Sequence, residues 1–163
     1  MREPHAHYFP EHDAPEMEPF RLAFFHMMFA HAEFERRVSQ LRAAIAGDEQ
    51  LADQRLPDAK DRPNEIIKLI GNHHPGGLPQ ADDIVNCLSR SITLCHDRNL
   101  LAHGHWWELT QAGITVRSDR DRADQERFKT FTADEIERIA STLDDLESEL
   151  YKRQRAIEQA RGD

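Results

Sequence analysis

The segment from Arg98 to Gly104 reads Arg-Asn-Leu-Leu-Ala-His-Gly and contains three side chains that together suit phosphodiester chemistry. On a helix, Asn99 and His103 are four positions apart and share a face, and the long Arg98 side chain reaches around to them. His103 falls in the last turn of a predicted helix, where the helix dipole favours a protonated imidazole. A guanidinium neutralises phosphate charge, an imidazole moves a proton and an amide orients the reacting groups.

The spacing of Arg and His is a weak signal by itself, and the Asn between them makes it specific. About one Arg followed by His five positions later is expected by chance in a chain of this composition. Requiring Asn directly after the Arg lowers that expectation to roughly a few hundredths, and only Arg98 meets the requirement. The three Arg–His pairs in the chain are Arg2 with His7, Arg21 with His26, and Arg98 with His103.

The pattern around this segment predicts a mainly α fold, in which an antiparallel bundle of four main helices carries a small β-hairpin or three-stranded insertion before the last helix. The first helix has a heptad-like apolar stripe, which Phe25, Met28 and Phe29 widen enough to face a second surface such as a partner chain. Residues 48–62 read as a loop. The helices are predicted at about Met17–Ala46, from Pro63 to about His73, at Gln80–His103, and from Thr132 onward.

Turn and cap signals define the insertion. Gly104 is predicted to end the third helix in the left-handed conformation. A hairpin follows, with Trp107 and Leu109 on one side of its first strand, and Phe128–Phe131 is a candidate third strand. The sequence Thr132-Ala133-Asp134-Glu135 is a capping box that opens the last helix.

Three further polar or reactive side chains are predicted inside the bundle. His31 falls on the apolar stripe of the first helix, so we expect a buried neutral imidazole with a satisfied hydrogen bond. Cys87 and Cys95 fall in the apolar pattern of the third helix and are predicted to be buried, reduced thiols.

Composition and the ends of the chain define its class. Residues 1–15 are proline-rich and predicted to be an extended arm, and residues 16–163 a single domain. The net charge of −9 argues against a protein that coats DNA or an anionic membrane. From Asn86 to Phe131, seven Lys or Arg nearly balance six Asp or Glu. Neither a signal peptide nor an apolar run of membrane-spanning length is evident, so a cytoplasmic location without a membrane partner is predicted.

Over about residues 17–160, the chain resembles the HEPN domain family. The hallmark of that family is Arg, usually followed by Asn or Asp, then His after four to six residues, at the end of the third core helix. The resemblance implies a metal-independent ribonuclease without a cofactor, whose active site forms where two protomers juxtapose their motifs. It assigns catalysis to Arg98, Asn99 and His103, with a second copy and single-stranded RNA as partners. The expected products are a 2′,3′-cyclic phosphate and a 5′-hydroxyl.

The residues that flank the motif are candidates for binding. We assign this role to Asp97, His105, Trp106 and Trp107. One Trp is predicted to pack the insertion onto the bundle, and base stacking by the other is a less favoured alternative. In one toxin branch of the family a Tyr stands two residues after the motif His. His105 occupies that place here, so the regulation that depends on this Tyr is not expected.

Other interpretations remain open at the level of sequence. A non-catalytic HEPN-like module would use the same cleft to bind a protein partner or a nucleotide, as part of a toxin–antitoxin or defence system with a partner antitoxin. A separate interpretation is that the motif is purely structural, with Arg98 paired with Asp97 or the acidic last helix and His103 capping helix carbonyls. A zinc site at His96, His103 and His105 lacks a completing ligand, so no metal is predicted.

Overall fold

The computed structural model describes residues 14–118 and 127–162 and confirms the predicted mainly α fold. The fold has four main helices. A three-stranded antiparallel sheet lies between the third and fourth helices along the chain. The elements are α1 (Glu18–Ala46), α2 (Arg62–His73), α3 (Ala81–His103), β1 (His105–Thr110), β2 (Gly113–Ser118), β3 (Arg127–Phe131) and α4 (Ala133–Gly162).

The core lies between α1 and α4, the two longest helices, with α2 and α3 packed against them. Apolar residues that recur every three or four positions form one buried stripe on each long helix. At the start of α4, the capping box forms as predicted. Thr132 N donates to Glu135 Oε2 over 2.8 Å, and Glu135 N donates to Thr132 Oγ1 over 3.1 Å. On α4 this stripe consists of six buried residues, Ile136, Ile139, Leu143, Leu146, Leu150 and Ile157.

The connection between α1 and α2 is more ordered than the predicted loop. It contains two short 3₁₀ helices, Glu49–Asp53 and Ala59–Asp61. At the start of α2, Arg62 is buried and its Nη2 lies 2.5 Å from Glu35 Oε1 on α1. Charge-assisted contacts of this kind hold the connection against the bundle.

The sheet has the order β1-β2-β3 and turns one face toward the helices. Ile114 and Val116 of β2 are fully buried on that face. A register irregularity between Trp106 and Glu108 places an extra residue, Trp107, in β1. The prediction that Trp107 and Leu109 share a side is therefore wrong. Leu109 packs on the core, whereas Trp107 contacts side chains of the outer face.

Gly104 joins α3 to the sheet, but its backbone is extended (φ −79°, ψ 164°) rather than left-handed, so the predicted conformation is wrong. The glycine is required by close packing instead. A Cβ atom at this position would lie 2.5 Å from the Leu100 carbonyl oxygen and 2.6 Å from Val116 Cγ1. Because glycine has no Cβ atom, Gly104 allows β2 to approach the end of α3.

Two predicted segments are not covered. Most of the predicted arm, residues 1–13, and the charged connection at 119–126 lie outside the described residues. The arm's Pro15 begins a short 3₁₀ helix, Pro15–Met17, whose last residue is buried in the core. No helix within residues 14–118 and 127–162 combines the length and apolar character needed to cross a bilayer.

Candidate functional site

The motif occupies the last two turns of α3, at the junction with the sheet. Asn99 and His103 are exposed, and Arg98 is partly buried. His96 also belongs to this surface, because spacings of three and four residues place His96, Asn99 and His103 along one helix face. The motif therefore presents one imidazole and one amide to solvent, beside the partly buried side chain of Arg98.

The Arg98 guanidinium forms no ion pair with a carboxylate among the described residues. Its Nη1 donates a hydrogen bond to Asn99 Oδ1 over 2.9 Å, and its Nε is buried without a hydrogen-bond partner among the described residues. The alternative pairing with Asp97 is absent, because Lys129 Nζ binds that carboxylate at 2.6 and 2.8 Å. Asp97 thus fastens β3 to α3 and leaves Arg98 without a carboxylate partner in the described ranges.

The His103 imidazole is exposed and has no polar contact with the described part of the chain. It is exposed in the last turn of α3, and its ring makes no hydrogen bond or ion pair with residues 14–118 or 127–162. The carbonyl-capping alternative is therefore not observed. An exposed imidazole beside a guanidinium without a carboxylate partner can accept or donate a proton at a bound phosphodiester.

The two tryptophans have different surroundings. Trp106 Nε1 donates to the Leu101 carbonyl over 2.8 Å, and its ring meets the edge of Phe24 at a centroid distance of 5.5 Å. Trp106 is therefore the residue that packs the insertion onto the bundle. Trp107 lies on the outer face of the sheet instead, against Phe128. His105, the first residue of β1, is exposed.

A cavity that sequence reasoning missed adjoins the motif. It has a volume of about 780 Å³ and lies between α1, α3 and the connection that precedes α2. His96 and Asn99 line one side of it, and His31, Glu35 and Arg62 line the other. The only sequence signal for this cavity is His31, a polar residue that interrupts the apolar stripe of α1.

His31 is buried as predicted, with 3% of its surface exposed, but its predicted hydrogen bond is not formed within the described residues. The nearest ion-pair partner, Glu35 Oε1, is 3.7 Å from Nε2. Burial lowers the pKa of His31 to about 4. Glu35 opposes that shift, whereas the positive charges of Arg98 and Arg62 reinforce it. The imidazole is therefore neutral near pH 7, and it brings hydrogen-bonding nitrogens to the cavity wall.

The remaining potential metal ligands and nucleophiles are dispersed. Within the described ranges, no three His, Cys, Asp or Glu side chains are grouped so as to hold a metal ion. Cys87 and Cys95 are buried and unpaired by disulfides, as predicted. Burial raises the pKa of Cys87 to about 12 and also raises that of Cys95, so both thiols stay protonated and inert.

The motif and the order of the helices are the only basis for the predicted resemblance to the HEPN family. Comparisons with protein-family models, with curated proteins and with solved structures find no match to it. Membership of the HEPN family therefore stays a prediction that depends on Arg98, Asn99 and His103 and on their place at the end of the third helix.

Proposed function

We propose that this chain is a metal-independent endoribonuclease that acts on single-stranded RNA as a homodimer. The observation that carries the proposal is the state of Arg98. Its guanidinium is partly buried, pairs with no carboxylate among the described residues, and is bound by Asn99 beside the exposed His103. A cation held in this way is suited to a phosphate.

The proposed reaction uses the ribose 2′-hydroxyl as the nucleophile. One imidazole accepts the 2′-hydroxyl proton as the 2′-oxygen bonds to the adjacent phosphorus. The bond from phosphorus to the 5′-oxygen breaks, and a second, protonated imidazole donates a proton to that leaving oxygen. The products are a 2′,3′-cyclic phosphate and a 5′-hydroxyl. Arg98 stabilises the charge on the phosphorane-like transition state, and Asn99 orients Arg98.

A homodimer supplies the second imidazole, and α1 offers a surface for it. Leu22, Phe25 and Phe29 are 64%, 66% and 68% exposed and form one apolar stripe on α1. The Phe25 ring meets Phe24, which in turn packs on Trp106 just beyond the motif. The stripe therefore runs close to the end of α3. A two-fold contact through it would bring a second motif toward the first.

The reaction is tested with purified protein, single-stranded RNA and excess chelator. Loss of one general acid or base costs about a hundred- to ten-thousand-fold in rate. We therefore expect His103→Ala and Arg98→Ala to abolish most cleavage while circular dichroism stays unchanged. His73→Ala, which removes an exposed imidazole from α2, is the matched control and should cleave normally.

The substrate and products provide independent checks. DNA of the same sequence should resist cleavage because it lacks the 2′-hydroxyl, and mass spectrometry of the RNA fragments should find cyclic phosphates. Cleavage that survives His103→Ala, or that requires an added metal ion, would contradict the proposed mechanism. RNA left intact across many sequences would refute the activity.

The cavity favours a second candidate, a non-catalytic module that binds a nucleotide. Its wall combines the neutral His31 imidazole, the Arg62 guanidinium and the motif residue Asn99, and about 780 Å³ is within the range of small-molecule sites. Calorimetric titration with mononucleotides distinguishes the two candidates. The module requires binding that is lost in His31→Ala, without any RNA cleavage by the wild-type protein.

A further inference from the structure

The register of the sheet places three side chains in a row that begins two residues after His103. His105 of β1 lies opposite Arg117 of β2, and Arg117 lies opposite Phe128 of β3. Residues that are directly paired across strands project from the same face of a sheet. Because the neighbouring Val116 is buried on the inner face, the row projects from the outer face.

Trp107 completes an aromatic and cationic cluster on this face. The Arg117 guanidinium carbon lies 5.3 Å from the Trp107 ring centroid. The Trp107 and Phe128 rings meet edge to face, with centroids 6.1 Å apart and planes at 74°. Phe128 is 47% exposed, and Trp107 is partly exposed. Two rings therefore stand at the surface with a cation beside them, and we name this cluster the sheet platform.

We propose that the sheet platform stacks the bases of single-stranded RNA next to the phosphate held at the motif. The identification of RNA rests on the proposed function. Aromatic rings accessible on a sheet bind unstacked bases, and an adjacent Arg neutralises the backbone between them. The platform starts at the residue pair His105–Arg117, and His105 is two residues from His103 along the chain, so a strand bound at the motif can extend onto it. The insertion that carries these strands would thus extend the site beyond the catalytic residues.

The platform is tested by RNA binding in a His103→Ala background, which keeps the RNA intact. Fluorescence anisotropy with a labelled single strand of roughly twelve nucleotides gives the dissociation constant. We expect Trp107→Ala and Phe128→Ala each to weaken binding about fivefold to a hundredfold. Tyr151→Ala is the matched control. That ring is 46% exposed on α4 with Arg37 at 4.5 Å, and its loss should change binding by less than about twofold.

A variant that keeps an aromatic ring at position 107 distinguishes loss of stacking from loss of folding. Trp107→Tyr keeps a stacking surface and should retain most of the affinity, so a folded Trp107→Tyr protein that binds as weakly as Trp107→Ala would contradict the platform. In the same His103→Ala background, RNA should also quench tryptophan emission, and Trp107→Tyr should remove most of that change, because Trp106 is committed to Leu101 and Phe24.

Binding and cleavage, measured on the same variants, separate failure of the platform from failure of the nuclease. In the otherwise wild-type chain, Trp107→Ala should raise KM for long RNA, whereas the control Tyr151→Ala should leave that KM unchanged. RNA binding that depends on Trp107, in a protein that cleaves nothing, would refute the nuclease and support the platform. Normal affinity and normal KM for long RNA in Trp107→Ala, or no RNA binding at all, would overturn the platform.

Discussion

Arg98 and Asn99 are consecutive residues of α3, yet their side chains are hydrogen-bonded, with Arg98 Nη1 2.9 Å from Asn99 Oδ1. Consecutive helix positions point about 100° apart, so only a long side chain that curves around the helix can make this contact. The bond holds the guanidinium beside Asn99, which shares a helix face with the exposed His103. This relationship gives the Asn that directly follows the Arg a structural role in the motif, which is to hold the guanidinium.

The first prediction concerns this bond. Asn99→Ala should lower kcat/KM for RNA about threefold to tenfold, the usual effect of losing one hydrogen bond to a positioning group. Asn99→Asp retains an acceptor oxygen for Arg98 and should keep most of the bond, although its charge opposes phosphate binding. Steady-state kinetics on one RNA, compared between these variants and the wild-type chain, checks the role. Equal kinetics for Asn99→Ala and wild type would remove Asn99 from the site.

The second prediction concerns acid stability and His31. Its pKa in the folded chain is about 4, below the ordinary 6.5, because burial opposes the charged ring. Glu35, Arg98 and Arg62 are the charged groups that act on it. Below pH 6.5 the unfolded chain takes up a proton that the folded chain refuses, so stability falls between about pH 6.5 and 4 by at most about 3 kcal/mol. Urea unfolding should show a smaller fall in this pH window for His31→Gln.

The third prediction has the opposite sign and concerns His26. Its two ring nitrogens lie 2.6 Å from Glu137 Oε1 and 2.9 Å from Asp144 Oδ2, so α1 is fastened to α4. Hydrogen bonds to Asp144 and Glu137 raise the pKa of His26 above 6.5. Its contribution is full below pH 6.5, provided both carboxylates are ionised, and disappears as pH rises through the folded pKa.

The size of the His26 effect is limited by its exposure. All three groups are solvent-accessible, so the stabilisation should stay below about 1 kcal/mol and weaken in high salt. The difference in unfolding free energy between wild type and His26→Gln should be larger near pH 5.5 than near pH 8.5. Asn72→Ala, at an exposed position of α2 that carries no titratable group, should show no such pH dependence. A pH-independent difference for His26→Gln would contradict the interpretation.

Local patterns predict most of this fold because its elements are long and regularly patterned. The α4 stripe and its capping box depend only on residues within one helix, so periodicity and cap chemistry are sufficient to find them. The 3₁₀ helices before α2 were missed because contacts with α1, such as that between Glu35 and Arg62, hold them in place. Such contacts join distant parts of the chain and leave no local pattern.

The candidate site also has parts that local patterns predict and parts that they do not. Asn99 and His103 could be placed on one helix face because helical geometry fixes that relation. The cavity lined by His31 and Arg62 and the row from His105 to Phe128 depend on packing and strand register. A single irregular residue in β1 changes the register, and hydrophobic alternation does not reveal it.

The fourth prediction tests the close approach at Gly104. An added methyl group would meet the Leu100 carbonyl and Val116 at about 2.5 Å, so Gly104→Ala should cost about 1–3 kcal/mol of stability. It should also displace β2 from the end of α3 and lower RNA cleavage. Gly71→Ala on α2 is the control, because nothing within 4 Å would meet its methyl group. Thermal unfolding should show Gly71→Ala to be neutral or stabilising, whereas equal melting temperatures for both variants would refute the packing argument.

The fifth prediction concerns the dimer. If the α1 stripe joins two chains, Phe29→Ser should shift the protein from dimer to monomer in sedimentation at micromolar concentration, because it removes a large apolar contact from the stripe. Ile67→Ser is the matched control, since Ile67 is 52% exposed on α2 and should leave the dimer intact.

A site that requires two His103 imidazoles should lose specific activity on dilution. Phe29→Ser should move that loss to higher protein concentration and leave the rate per dimer unchanged. A wild-type chain that sediments as a monomer, or a specific activity that is constant on dilution through the monomer range, would remove the two-imidazole mechanism. A Phe29→Ser dimer as tight as wild type would place the interface elsewhere on the chain.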